Sequence, residues 1–326
     1  MGIAPREQFG TPEQIEVLSA MEAFVLNETE LHKSRRNLWF PNDHLPADAT
    51  LGEEWEAQIR DMRRLAAELP DTVRVALALN LLTEEGLPHF HRLIAVHFGG
   101  HSAWTAWNNL WTAEEDRHGC ALRDYVRDAR LFDMGALERF QYRYIEAGFE
   151  PEWERDPYRL LAYTSLQEKA TQVSHANTSR LAASHEPVLQ RVLAHLAGDE
   201  LRHFYFYRNV FGEVLRHDTS RALGALLKVT LNFAMPGHTI DGFEAMSEVV
   251  RRSNVFGPRH YQKIVEELLA HWSIGTLTGL SAEGAQAQDK LMKFPKRLER
   301  MADLVEARTA PREFSFGFTF NRSITV

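Results

Sequence analysis

One cysteine, Cys120, stands among 326 residues. A disulfide within the chain is therefore excluded, as is any zinc or iron–sulfur site built on several thiolates, and the usage suits a reducing compartment. Long apolar runs are missing too. The most apolar stretch, Val73 to Leu82, falls well short of the roughly 20 residues that cross a bilayer as a helix. The opening MGIAPREQFG has no apolar core of a secretory signal and no Ser or Thr at position 6, so neither a signal peptide nor a myristoylation site is expected. There is no surplus of positive charge. A formal charge of -8 at pH 7 argues against general affinity for nucleic acid. Low-complexity tracts and linkers are also absent. These absences together predict a cytoplasmic protein with no transmembrane segment and one domain over residues 1–326.

What is present is mostly helical periodicity. The hydrophobic and charged fractions, 44% and 25%, are those of an ordinary soluble chain long enough to bury a sizeable core. Apolar residues recur every three or four positions over about 12–32, 53–68, 71–98, 101–129, 134–147, 157–183, 187–215, 217–235, 240–252, 257–272 and 280–307. The breaks carry turn chemistry: Gly99-Gly100, Gly148 to Asp156, His185-Glu186-Pro187 and Pro236-Gly237. Only the C-terminus changes period. EFSFGFTFNRSITV alternates Phe314, Phe316, Phe318 and Phe320 with small or polar residues, which predicts a strand that turns at Asn321-Arg322 and docks on the helices. The expected fold class is all-α with a short C-terminal β-hairpin.

Two of the helical stripes hold residues that do not belong in an apolar core. In WTAEEDRHGCALRDYV, Glu115 and His118 share a face with Trp111, Leu122 and Tyr125; in AGDELRHFYFYRNV, Glu200 and His203 share one with Leu193, Leu196, Tyr207 and Val210. Two Glu-x-x-His pairs carry little weight as a count, since chance supplies about one or two. Their setting is more telling. Glu84 precedes Glu115 by 31 residues, Glu168 precedes Glu200 by 32, and each upstream Glu also lies on a core-like stripe. A break falls midway in each interval. Each half therefore reads as a helical hairpin whose return helix brings its Glu-x-x-His level with the upstream Glu. Two hairpins packed together place four carboxylates and two imidazoles at one depth in a four-helix bundle. Such a set stays ionised in a core only with counter-charge. Two metal ions supply it, and oxygen and imidazole donors suit iron or manganese.

The neighbours of these residues fit the pattern less well. Glu85 shares a wetter stripe with Pro88, His89 and Arg92, and Glu114 has no His three residues on, so Glu84 and Glu115 are preferred. His91 and His175 read as core or boundary histidines, and Cys120 as a small buried apolar residue. Pro88 removes the hydrogen bond to the carbonyl of Glu84, which is either a kink beside the metals or a tolerated Pro near a helix end. Thr171, one turn after Glu168, either places a hydroxyl at the metals or bonds its own backbone.

WTAEEDRHG, TEEGLPHFH, YTSLQEKATQVSHANT and LTGLSAEGAQAQD resemble the soluble acyl-[acyl-carrier-protein] desaturases of plant plastids and actinobacteria, and the likeness runs from about Trp39 to the C-terminus. The resemblance implies a homodimer with a ferritin-like di-iron four-helix bundle and additional helices. It implies an enzyme that uses dioxygen to desaturate an acyl chain held on acyl carrier protein, in fatty acid biosynthesis, with electrons from a ferredoxin-type donor. Matched position by position, Glu84, Glu115, His118, Glu168, Glu200 and His203 are its ligands to two Fe ions, with Glu115 and Glu200 bridging. Thr171 matches a threonine linked to oxygen activation, and Trp39, Asp199 and His118 match a proposed electron path from the surface. Val96 and Leu160 are the expected pocket residues, Leu160 standing where plant enzymes for long chains tend to have glycine. The second motif, DELRHF, departs from the plant pattern at Leu201 and Phe204.

Acyl carrier protein is acidic, as is this chain, so docking needs a local basic patch. Lys33, Arg35 and Arg36 offer one candidate; Lys296, Arg297 and Arg300 offer another. Three rival readings remain open: hydroxylation of a carrier-bound acyl chain, iron storage in a cage of many subunits, and a structural bundle whose carboxylates pair internally.

Overall fold

The computed structural model describes residues 9–46, 52–98, 102–149, 155–308 and 310–326. Among them run α1 (Pro12–Ala20), α2 (Glu22–Arg35), α3 (Glu53–Ala67), α4 (Asp71–Glu84), α5 (Leu87–Phe98), α6 (Ser102–Asp128), α7 (Met134–Ala147), α8 (Pro157–Ala182), α9 (Pro187–His217), α10 (Thr219–Leu231), α11 (Phe243–Arg252), α12 (Pro258–His271) and α13 (Ala282–Glu306). The periodic segments match these helices with two corrections. The first segment runs on to Arg35 and divides at Met21, and 71–98 is two helices rather than one. The Gly99-Gly100 break lies outside the described residues.

The two helices of the second bundle hairpin, α8 and α9, start as their sequences require. Pro157 opens α8, and the Asp156 carboxylate accepts the N–H groups of Tyr158 and Arg159 at 2.9 and 3.4 Å. Pro187 opens α9, and Glu186 caps Val188 at 3.2 Å. Pro gives up no hydrogen bond at a first helical turn, and the acids satisfy N–H groups that the helix cannot.

Four helices form a bundle: α8 lies along α9, α4 touches α6 and α8, and α6 touches α9. Its apolar core comes in two clusters. One takes Trp104, Trp107 and Trp111 from α6, Tyr158 to Ala170 from α8, and Phe204 to Leu215 from α9. The other takes Leu77 to Leu82 from α4, Ala121 to Val126 from α6, Ala182 from α8, and Leu189 to Leu196 from α9. On α6 and α9 the gap between the clusters runs from Trp111 to Ala121 and from Leu196 to Phe204. That gap holds the buried Glu-x-x-His pairs.

The C-terminal segment forms the expected short hairpin, with strands shorter than the phenylalanine alternation suggests. Only β1 (Glu313–Phe314) and β2 (Ile324–Thr325) pair, antiparallel, with Glu313 opposite Thr325 and Phe314 opposite Ile324. Between them Gly317–Thr319 forms a 3-10 turn, and Phe320 and Asn321 take positive φ of 57° and 55°. Docking explains the change. Phe318 meets the rings of Phe132 and Phe140 edge-on at 5.7 and 5.8 Å, and its carbonyl accepts the Asp133 N–H at 2.9 Å. A strand would keep Phe320 on the same face as Phe316 and Phe318; the turn leaves Phe320 exposed while the other two are buried. Cys120 is also corrected: it is exposed, on the outer face of α6 beside Asp116.

Candidate metal centre

Glu84 is the last residue of α4. The carbonyl of a helical residue expects the N–H four positions on, and there Pro88 has none to give. The chain instead turns through Glu85 and Gly86 and begins α5 at Leu87. Gly86 is needed for close approach: a Cβ there would stand 2.5 Å from Tyr144 Oη. The Pro88 alternative is thereby resolved as a helix break beside the site.

All six predicted residues are buried and meet in the polar layer. His118 Nδ1 lies 3.3 Å from Glu200 Oε1, 3.4 Å from Glu115 Oε2 and 3.7 Å from Glu84 Oε2. His203 Nδ1 lies 2.8 Å from Glu115 Oε1, 3.7 Å from Glu168 Oε2 and 3.9 Å from Glu200 Oε2. The donor atoms therefore fall into two groups, Glu84, Glu115, His118 and Glu200, and Glu115, Glu168, Glu200 and His203, with the atoms of each within 4.8 Å of one another. Glu115 and Glu200 belong to both. Four of these atoms, Glu115 Oε1, His118 Nδ1, Glu168 Oε2 and His203 Nδ1, are buried and close to neighbours but not aligned for a hydrogen bond. Buried polar atoms left this way are costly unless a cation completes them. The layer can hold metal.

The far side of each imidazole is tied to the opposite helix. His118 Nε2 faces Asp199 Oδ2 at 3.2 Å, and His203 Nε2 faces Glu114 Oε2 at 2.9 Å. A carboxylate there fixes Nε2 as the protonated nitrogen and leaves Nδ1 to a metal. Asp199 also accepts from Trp39 Nε1 at 2.7 Å and from Arg117 at 3.4 Å. Glu114 also faces His32 Nε2 at 2.8 Å and Arg36 at 3.4 Å. Sequence reasoning set Glu114 aside because no His follows it at the right spacing. The signal that would have found it is the acid just before each motif Glu: Glu114 before Glu115, Asp199 before Glu200. His32, on α2, carries no such signal.

The two outer carboxylates are held differently. Trp111 Nε1 donates to Glu168 Oε1 at 3.2 Å, while His175 Nε2 faces Glu84 Oε1 at 2.7 Å. His175 is thus a buried partner of the centre rather than an incidental core residue; the His91 ring meets the Thr112 hydroxyl at 2.8 Å. Thr171 resolves both ways. Its hydroxyl stands 3.1 Å from Glu200 Oε2 and 3.0 Å from the Glu168 carbonyl, and its one proton serves either.

Charge in this layer is uneven. Burial, with the Glu200 and Glu115 carboxylates beside it, holds the Glu168 carboxyl well above the usual carboxylate range, and burial with Glu200 raises Glu115. Burial would raise Glu200 and Glu84 as well, but the imidazoles turned toward them win: His118 and His203 take Glu200 well down, and His118 and His175 lower Glu84. Burial opposes charge on His118 and His203, yet Glu115 and Asp199 around the one, and Glu114 and Glu115 around the other, push both up. Protons on these groups stand where cations would bind.

Two voids adjoin the layer. A small one, about 20 Å³, is bounded by Glu84, Glu115, Glu200, Trp111, Gln167 and Thr171. A larger cavity of about 300 Å³ is walled by apolar groups such as Leu79, Phe233, Phe243, Val250 and Tyr261. Thr83 and Thr171 line both. The two expected pocket residues do not. Leu160 is fully buried in the Trp-rich cluster, and Val96 is half-buried on α5; neither bounds either void.

A family of fatty acid desaturases matches residues 13–320 of this chain. The chain belongs to the fatty acid desaturase family. Among curated members, it is 36% identical over 335 residues to stearoyl-[acyl-carrier-protein] 9-desaturase 1, chloroplastic, of Oryza sativa subsp. indica, covering 97% of this chain and 87% of that protein. The stearoyl-[acyl-carrier-protein] 9-desaturase, chloroplastic, of Ricinus communis is 32% identical over 333 residues, covering 97% and 83%. In structure, the desaturase-family bundle is similar to DesA2 of Mycobacterium tuberculosis, provisionally described as an acyl-ACP desaturase, with a TM-score of 0.62, 20% identity, and coverage of 83% of this chain and 99% of that one. At that identity the likeness speaks for the fold, a ferritin-like bundle. Among the described residues, no helix of this desaturase-family chain is long and apolar enough to cross a membrane.

Proposed function

We propose that this chain is a di-iron, dioxygen-dependent desaturase acting on a saturated acyl chain presented as a thioester by acyl carrier protein. One observation carries the reading: a double donor set with two shared carboxylates lies beside an apolar cavity, and Thr83 and Thr171 border both. Glu84, Glu115, His118 and Glu200 would hold one iron, and Glu115, Glu168, Glu200 and His203 the other. Bound there, the irons supply the oxidising power of dioxygen toward unactivated C–H bonds. The net change takes two hydrogens from adjacent CH2 groups, with two electrons and two protons added, and turns O2 into two waters.

The chain's own residues do the rest. Apolar walls exclude water and hold an acyl chain extended past Thr171. Asp199 and Glu114 keep the two imidazoles oriented. Trp39, joined through Asp199 to His118, leads electrons inward from a ferredoxin-type donor. For the acidic carrier protein, α13 is the better of the two basic patches. Lys296, Arg297 and Arg300 are exposed, whereas Lys33 pairs with Glu30 at 2.8 Å and Arg36 turns in toward Glu114; Arg35 alone of that first set points outward without such a pairing. The homodimer is part of the same proposal.

The test is to incubate iron-loaded protein with stearoyl- and palmitoyl-acyl carrier protein, ferredoxin, its reductase, NADPH and oxygen, then identify acyl products by mass spectrometry. A mono-unsaturated product, lost in Glu115→Ala, is expected. A hydroxylated product would replace desaturation with hydroxylation of the same substrate class.

A further inference from the structure

Trp39 is the outermost group of the inward electron route just proposed, yet it is only 3% exposed. A protein donor cannot reach it directly. Two half-buried imidazoles lie against it. The ring centroid of His195, on α9, is 5.5 Å from that of Trp39, and the ring of His44, just after the Pro41–Asp43 turn, is 5.6 Å away. The two imidazoles stack on each other at 4.2 Å with 28° between their planes. Inward, the Trp39 ring lies parallel to His118, 8° between planes and 6.3 Å between centroids, with Asp199 Oδ2 bonded to both. Aromatic contact is thus continuous from half-exposed imidazoles to a residue of the metal layer.

We infer that the stacked pair His44 and His195 is where the reduced iron–sulfur donor makes contact, and that each electron passes through these rings to Trp39. The inference rests on the electron route proposed above. One electron leaves the donor and one arrives at the metal pair on each pass; neither imidazole changes its oxidation state and no bond is made or broken. The surface around the pair suits a small acidic protein. Leu38 and Phe40, either side of Trp39, are 52% and 50% exposed, which is apolar area for a partner to cover. Arg35 precedes them and is exposed, and Arg191 is exposed one turn before His195 on α9. Positive charge beside an apolar contact steers an acidic partner.

Two measurements test the inference. First, the rate at which a reduced [2Fe–2S] ferredoxin reduces the oxidised, iron-loaded protein is followed by anaerobic stopped flow for the parent, the double variant His44→Leu/His195→Leu, the double variant His44→Phe/His195→Phe, and Trp39→Phe. Dithionite, which needs no docking, serves as the comparison reductant. The leucine pair is expected to slow reduction by ferredoxin at least tenfold while leaving reduction by dithionite within twofold. The phenylalanine pair, which keeps stacked rings, should recover most of the loss. Second, in the metal-free protein labelled with ¹³C in its imidazoles, oxidised ferredoxin should shift or broaden the His44 and His195 resonances ahead of the other histidines.

Ferredoxin reduction within twofold of the parent in the leucine pair, with Trp39→Phe slow, would overturn the inference and leave the route standing. If Trp39→Phe is also unaffected, the route itself falls. Equal slowing with dithionite would place the effect at the metals and overturn the inference as well.

Discussion

Glu114 Oε2 lies 2.9 Å from His203 Nε2, and the contact crosses from α6 to α9. Asp199 makes the converse crossing, from α9 to His118 on α6. Removing such an outer partner typically weakens metal binding ten- to a hundredfold. Glu114→Ala should therefore lower metal affinity by about that much while circular dichroism keeps the parent helix content. Unchanged affinity in a metal titration would show that His203 needs no support from α6.

The shared carboxylates predict a pattern in metal content. Glu115→Ala and Glu200→Ala each remove a donor from both groups, whereas Glu168→Ala touches one. After loading and desalting, the first two variants should retain little metal and the third about half the parent amount. Equal losses in all three would mean that the groups do not share Glu115 and Glu200 in solution.

Glu168→Gln should change sign with metal. Burial and the neighbouring carboxylates raise the Glu168 carboxyl, so a charge there destabilises the metal-free fold. A neutral amide of the same shape should raise the metal-free unfolding midpoint by about 1–2 °C, as expected for roughly 1 kcal/mol in a chain of 326 residues. In the loaded protein the same change removes a ligand and should lower the midpoint. A shift of one sign in both forms would count against the site.

Acid should loosen one wall of the large cavity. On α11, which supplies Ser247, Val250 and Arg251 to that wall, Glu248 meets Arg251 at 2.6 Å and Arg252 at 2.7 Å. The Arg251 guanidinium, then that of Arg252, pulls the Glu248 carboxyl from 4.5 down to about 2. A carboxyl lowered on folding contributes stability that is complete above its unfolded value and lost as pH falls toward the folded one. Glu248→Gln should therefore cost about 1 kcal/mol at neutral pH, after allowance for partial exposure, and progressively less below pH 4.5. Denaturant melts at several pH values would show it, and a cost that does not fade in acid would contradict the assignment.

Chain length should respond to the cavity. Ser247→Phe narrows the wall without touching the metal layer. A single methylene in an apolar pocket is worth about 1–3 kcal/mol. The ratio of kcat/KM for palmitoyl over stearoyl carrier protein should rise at least fivefold, as measured by competition. No change in that ratio would place the acyl chain elsewhere.

Much of the centre was legible because metal chemistry imposes spacing. Four Glu and two His recur at intervals that a helical hairpin brings level, and the residues around them, Leu77, Leu161, Leu193 and Leu196, are buried as their periodicity requires. What escaped depends on contacts between distant elements. His32 reaches Glu114 from α2, and His175 reaches Glu84 from α8, through side-chain directions that no local pattern encodes. The alternating phenylalanines announce the hairpin but not how short its strands are, for a related reason. Period two was read as a strand, but the rings of Phe132 and Phe140 offered Phe318 more burial than an isolated ladder could. Cys120 was placed inside by residue type, although the outer face of α6 is where its position falls.

The crossed contacts, Asp199 on His118 and Glu114 on His203, give the two motifs a mutual dependence. Neither α6 nor α9 contains a finished half-site, because each lends the other the brace for its histidine. A slip of one residue between these helices carries both braces off their targets at once. If the layer takes up metal, tight binding would require that the two hairpins have met in the right register. A partly folded chain, with one hairpin formed and the other loose, offers imidazoles free to turn either nitrogen outward and so holds a stray ion weakly.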